Sequence, residues 1–166
     1  MKRTKSIWFY HQNPNKWINE YPECSFYNHL KTNSKKYTNL TAIEFQGKKY
    51  SYKNLINNIE KTAAALVSIG VKKGDYISII CPNTPQALFM IYAANRIGAI
   101  ANMIHPLLSV NEIQKFVENT NSVAVLTLDM IYTKFAKIKW NTEKQPKFIL
   151  SRIVDALPLY AKPIYS

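Results

Sequence analysis

Residues 69–106 read IGVKKGDYISIICPNTPQALFMIYAANRIGAIANMIHP, and this stretch decides the fold. Gly70 closes a preceding apolar stripe, and Lys72-Lys73-Gly74-Asp75 turns the chain into a strand from Tyr76 to Cys81. Thr84 caps a helix that Pro85 begins, because proline is tolerated where the first N–H has no intrahelical acceptor. Gly98 ends that helix after Ile97, and a second strand runs from Ala99 to Ile104. Two strands joined by one crossover helix imply parallel pairing, and a parallel sheet is covered on both faces. The helix from Gln86 to Ile97 is apolar nearly all round, with Ala87, Leu88, Phe89, Met90, Ile91, Ala93 and Ala94. It is therefore expected to be buried on more than its sheet-facing side, against a further layer that need not lie in this chain.

The alternation continues in both directions. Upstream, Thr41 to Phe45 and Lys49 to Tyr52 form a hairpin about Gly47. Ile56, Ile59, Ala63, Leu66 and Val67 then recur at three- and four-residue steps, the spacing of a helix that starts at Ser51 or Tyr52 and reaches Ile69. Downstream, Ser109 and Glu112 have the spacing of a capping box for a helix through Asn119. A strand over Val123 to Leu128, a short helix near Met130 to Lys137 and a strand over Lys147 to Ser151 complete the pattern. A short helix is expected from Phe26 to Leu30, ahead of a polar stretch from Lys31 to Asn39. Residues 1–40 read as an N-terminal arm with aromatic anchors at Trp8, Phe9, Tyr10 and Trp17, residues 41–152 as the α/β body, and residues 153–166 as a truncated tail without a stable period.

The bulk composition narrows the possible partners. The chain has 166 residues, 47% of them hydrophobic, enough for one ordinary core. Its formal net charge is +12, but the basic residues are dispersed: Lys35 and Lys36 in a loop, Lys48 and Lys49 in a turn, Lys72 and Lys73 in another, and a scatter from Lys134 to Lys147. A nucleic-acid footprint needs a stripe or patch, so no nucleic-acid partner is expected. Cys24 and Cys81 are isolated thiols, which fits a reducing, cytoplasmic setting better than a disulfide framework. Only four apolar residues, Ile7 to Tyr10, follow the basic start, too few for a signal peptide. The longest apolar stretch, Ala87 to Ile104, is broken by Asn95, Arg96, Gly98 and Asn102, so no membrane span is expected.

Motifs that carry chemistry are sparse. A phosphate-cradling loop needs several neighbouring glycines, but Gly47, Gly70, Gly74 and Gly98 each have a turn or helix end to shape. His11, His29 and His105 are far apart, and no metal-ligand spacing links them to a cysteine or carboxylate. Asp75 and Asp129 adjoin strand ends, where turn and cap duties account for them. His105 and the Cys81-Pro82-Asn83 turn fall at the C-terminal ends of parallel strands, the edge where open α/β sheets bind ligands. His105 lacks a visible acid or base partner and reads as a hydrogen-bonded loop residue, and Asn83 as the side chain holding the loop before Thr84. No catalytic, cofactor-binding or metal-binding residue is assigned.

Taken in order, these segments resemble the opening of the AMP-binding, adenylate-forming superfamily of acyl-CoA synthetase type. Ser51-Tyr52-Lys53-Asn54-Leu55 is similar to the family's first core motif, and Ile69 through Asp75 resembles its Gly-Val-x-x-Gly-Asp turn. Pro82-Asn83-Thr84-Pro85 resembles the Pro-Asn-Ser turn. Arg96 through Asn102, with His105-Pro106, resembles the second core motif, and Ser109 through Ile113 the Leu-Ser/Thr-x-x-Glu-Ile segment after it. The resemblance runs from about Thr41 to Leu128. It implies a layered α/β fold, a mainly parallel sheet flanked by helices, forming an incomplete N-terminal part of the large domain of an adenylate-forming enzyme. It also implies ATP, Mg and CoA as needs of a complete enzyme acting on a carboxylic acid, with none of them held by this chain. The partner is then the remainder of the ligase or a second copy, and the alternative is a non-catalytic interaction module derived from the same fold.

Overall fold

Helix starts fall where short polar side chains can accept the backbone N–H groups that a first turn leaves unpaired. In the computed structural model, which describes residues 23–158, helix α1 (Phe26–Ser34) is capped by Ser25 and followed by a single 3-10 turn (Lys35–Tyr37). Strands β1 (Thr41–Phe45) and β2 (Lys48–Ser51) form the antiparallel hairpin, with Phe45 opposite Lys48. Its two-residue turn, Gln46 (φ 49°) and Gly47 (φ 81°), has positive φ at both positions, which matches the right-handed strand twist. Ser51 caps α2 (Tyr52–Ser68), its Oγ accepting from the Asn54 N–H at 3.2 Å.

The decisive stretch keeps the order of elements expected, its two strands stopping short of Cys81, Ala99 and Ile104. After β3 (Tyr76–Ile80), Thr84 caps α3 (Pro85–Ile97), with proline in the first turn and Gly98 left-handed at the C-terminus (φ 76°). Next come β4 (Ile100–Met103) and α4 (Val110–Asn119), whose capping box is complete: Ser109 Oγ accepts from Glu112 N–H at 3.3 Å, and Glu112 Oε2 accepts from Ser109 N–H at 2.9 Å. Strand β5 (Ala124–Leu128), the one-turn α5 (Asp129–Tyr132), β6 (Lys147–Ser151) and the one-turn α6 (Ile153–Ala156) complete the described chain.

Strands β3 to β6 form a parallel sheet in the order β4-β3-β5-β6. Since β4 and β5 flank β3 on opposite sides, right-handed crossovers send α3 and α4 to opposite faces. On one face Ile77, Ile79, Ala124 and Leu126 pack with α2 and α3, and Tyr27 of α1 joins the same cluster. On the other, Ile80 and Val125 pack with Ile113 and Val117 of α4 and with Phe135 and Trp140. Every residue of β5 is buried, as a central parallel strand requires.

Several expectations need correction. The layer against the outer side of α3 is inside this chain: α2 and α1 cover it, so that Met90, Ala93 and Ala94 are at most 3% exposed. Leu88, Ile91 and Tyr92 remain half-buried on its flank. Helix α1 runs past Leu30 to Ser34, carrying Tyr27 into the core at 1% exposure. The segment after β5 is helical for one turn only; further turns then bring Phe135 into the second core. Ile153–Ala156 is helical, and Ala156 and Leu157 are buried. The aromatic anchors Trp8, Phe9, Tyr10 and Trp17 lie outside the described residues.

Candidate functional site

The strands β3, β4 and β5 end together, and the loops that leave them frame a pocket of about 530 Å³. Cys81, Pro82 and Asn83 come from the β3 loop, Met103, His105 and Leu107 from β4 and the loop after it, and Leu128 and Ile131 from the end of β5 and α5. The chain crosses from one side of β3 to the other here, so neighbouring loops diverge and leave a crevice. Its walls are mostly apolar, with the His105 imidazole and the Asn83 carboxamide as the polar groups at the rim.

Of the polar groups of this crevice, His105 is held by its own loop, Cys81 is buried and Asn83 faces solvent. Nδ1 of His105 accepts from the Leu107 N–H at 3.3 Å, the local bond expected of a loop histidine ahead of a proline. Burial pushes the Cys81 thiol up to about 12, so it is protonated at neutral pH and unsuited to nucleophilic attack. The Pro82–Thr84 turn closes through backbone, Thr84 N–H donating to Pro82 O at 2.7 Å, rather than through Asn83, which is exposed. Asp75 Oδ2 accepts from the Lys72 N–H at 2.7 Å and Asp129 Oδ1 from the Met130 N–H at 2.8 Å, which are turn and helix-start roles.

Phosphate recognition would need backbone N–H groups converging from a glycine-rich loop. The four glycines of the chain, Gly47, Gly70, Gly74 and Gly98, all have positive φ in separate turns or helix ends. At Gly98 the fit is tight as well: a Cβ there would lie 2.9 Å from Cγ of Lys73. Among the described residues no three His, Cys, Asp or Glu side chains gather closely enough to hold a metal ion. The described residues thus present neither a cluster of metal ligands nor a glycine-rich loop.

Two polar constellations escaped the sequence reading. Glu60 of α2 accepts from the Tyr27 hydroxyl, pairs with Lys31 Nζ at 2.9 Å and lies 3.4 Å from Arg96 Nε, joining α1, α2 and α3. The Tyr27 hydrogen bond, then Lys31, holds the Glu60 carboxyl below its usual range against the opposing effect of burial. On the other face of the sheet, Ser78 Oγ lies 2.8 Å from Ser122 Oγ, Ser122 Oγ lies 2.7 Å from Thr120 Oγ1, and Asn102 Nδ2 donates to Ser78 at 3.1 Å. The sequence signal for the second was a lone serine inside the apolar run YISII; the first had none, because 33 residues separate Tyr27 from Glu60.

Comparison with known proteins agrees with this architecture. Residues 30–163 match the AMP-binding enzyme family. A long-chain-fatty-acid–CoA ligase of Bacillus subtilis is 25% identical over 93% of this chain, and a Dictyostelium discoideum acetyl-coenzyme A synthetase is 34% identical over 61%. This chain spans only 29% and 15% of those relatives. In three dimensions it is similar to an anthranilate CoA ligase solved with anthranoyl-AMP (TM-score 0.73, 16% identity, 77% of this chain and 25% of that one). It is also similar to a long-chain-fatty-acid–CoA ligase of Archaeoglobus fulgidus (TM-score 0.72, 19% identity, 82% and 30%). No described helix is long and apolar enough to cross a membrane. With the match extending over most of its length and the parallel sheet in place, the chain belongs to the AMP-binding enzyme family.

Proposed function

We propose that this chain supplies one α/β layer of an AMP-forming acid:CoA ligase and is inactive alone. In the complete enzyme a carboxylate attacks ATP to give an acyl-adenylate and pyrophosphate, and CoA then displaces AMP to form the thioester. The observation that carries the reading is the placement of the glycines: all four shape turns or helix ends, leaving none for a phosphate loop. In this reading ATP, Mg and CoA are needs of the complete enzyme, and no step of the reaction is routed through the residues of this chain. The remaining partners are the carboxylic acid and the rest of the ligase, in a cytoplasmic setting within fatty acid metabolism and without nucleic acid. Fragmentary coverage of the relatives supports this reading.

The test is carboxylate-dependent exchange of pyrophosphate into ATP, with acetate and a long-chain fatty acid as substrates. The purified chain should give none, and robust exchange would refute the proposal. A second reading, a non-catalytic interaction module, is favoured by the closed core around α3, whose Ala93 and Ala94 are fully buried within the chain. The DNA beyond the codon for Ser166 separates the two: a phosphate-loop sequence in any frame supports a split or truncated ligase, and an unrelated flank supports the module.

A further inference from the structure

We propose that the cavity at the N-terminal ends of β3, β5 and β6 binds a small phosphate monoester through the ammonium groups of Lys72, Lys144 and Lys147. The cavity, of about 220 Å³, lies at the opposite edge of the sheet from the crevice, between the turn that follows α2 and the loop that enters β6. Lys72 comes from that turn, Lys144 from that loop, and Lys147 is the first residue of β6, so the fold gathers three cations that lie in separate parts of the sequence. All three are exposed, and among the described residues none forms an ion pair; the ion pairs belong to Lys31, Lys49, Arg96 and Arg152. The acid in the wall is Asp75, whose Oδ2 accepts from the Lys72 N–H at 2.7 Å. The wall therefore carries an excess of two positive charges. Its remaining surface is largely apolar, with Ile69, Val71 and Val123, and low-dielectric walls about a concave site concentrate the field of the charges.

A phosphate monoester carries a charge of about −1.5 to −2 at neutral pH and three strong acceptor oxygens, which matches that excess and offers one oxygen to each ammonium. One of the three is already held in place. Lys147 Nζ donates to the carbonyl of Ile69, the residue that ends α2, at 2.6 Å, which leaves it further N–H groups for a ligand. The loop carrying Lys144 is tied down beside it, since Gln145 Nε2 donates to Trp140 O at 3.0 Å. Recognition here works through side-chain charge, so it requires no glycine-rich loop of converging backbone N–H groups. A carboxylate would bring only one charge to the cavity. A nucleic acid would need basic residues along a stripe rather than three about one cavity.

Titration of the full, isotope-labelled chain with glycerol phosphate, followed by amide chemical shifts, tests this in about 0.15 M NaCl, which screens diffuse attraction to the basic surface. Saturable shifts are expected around the cavity, in Val71, Lys72, Val123 and Gln145, with a Kd of about 1 mM. Lys72→Ala and Lys144→Ala should each raise that Kd about threefold, and the two together about tenfold. Lys53→Ala, at the far end of α2, should leave it unchanged. These three side chains are exposed, so the variants keep the fold, which circular dichroism checks. Dimethyl phosphate, a monoanion, should bind more weakly than the monoester. Shifts that do not saturate or that scatter over the surface, equal affinity for dimethyl phosphate, or a Kd unmoved by Lys72→Ala and Lys144→Ala would overturn the proposal. Binding to phosphatidylcholine vesicles containing phosphatidic acid, with no response to glycerol phosphate, would place the phosphate on a membrane headgroup and overturn it as well.

Discussion

Glu60 is the residue whose removal the structure makes most informative. Its carboxylate accepts from the hydroxyl of Tyr27, a residue only 1% exposed, while Lys31 and Arg96 approach from the half-exposed side. The ion pairs are screened by solvent and contribute little, so the magnitude comes from the phenol. A hydrogen bond to a charged acceptor is worth about 1.5–3 kcal/mol, and deleting only the acceptor leaves the phenol unpaired. Glu60→Ala should therefore destabilise the chain by about 2–3 kcal/mol. Tyr27→Phe should cost about 1 kcal/mol, since Glu60 keeps its two cations. The double variant should be less unstable than the sum by about 1–2 kcal/mol, because removing both partners leaves nothing unpaired. Urea melts of the four proteins at one pH measure this coupling. Because the folded carboxyl titrates below its unfolded value, its contribution is complete above the unfolded pKa and is lost as pH falls through the folded one. Repeating the cycle in acid should shrink the coupling. Additivity within about 0.3 kcal/mol at neutral pH would refute the reasoning.

The two thiols should separate cleanly in a labelling experiment with a disulfide reagent. Cys24 is exposed and should react at once, whereas Cys81 is buried with its thiol pushed up to about 12 and should react only on unfolding; equal rates would contradict the burial. Gly98→Ala should destabilise by about 1 kcal/mol, since a left-handed alanine costs about 1–2 kcal/mol, partly offset by a stiffer unfolded chain. Any new Cβ also lies 2.9 Å from Lys73 Cγ, but asparagine tolerates the left-handed backbone better than alanine, so Gly98→Asn should be the milder change; a neutral Gly98→Ala melt would count against the strain.

What the sequence disclosed was the local physics. Caps at Thr84 and Ser109, the helix start at Ser51 or Tyr52, the turn at Gly74 and the helix end at Gly98 are set by groups within a few residues of each other, and each sits where the pattern put it. Strand ends were overread by a residue at Cys81, Ala99, Ile104 and Val123, because apolar character extends past the last ladder partner. The cover over α3 was missed for a different reason. A stripe such as Ile59, Ala63 and Leu66 shows that a helix has a buried face but not which neighbour meets it. Similarly, the crevice at the strand ends was legible from topology, whereas the meeting of Lys72 with Lys144 and Lys147 needed coordinates.

The serine chain beneath the edge strand has a direction. Asn102 donates to both Ser78 and Thr120, and Thr120 directs its single proton to a carbonyl of α4, Phe116 O or Val117 O. With the Thr120 proton on α4, a consistent arrangement has Ser122 donating to Thr120 and Ser78 donating to Ser122, which uses every hydroxyl proton of the row. The aligned dipoles all run from β4 toward the C-terminal end of α4, each polarising the next. An outer strand of only four residues is thereby tied through Asn102 to the helix that packs on the same face, and peeling it away severs both Asn102 bonds.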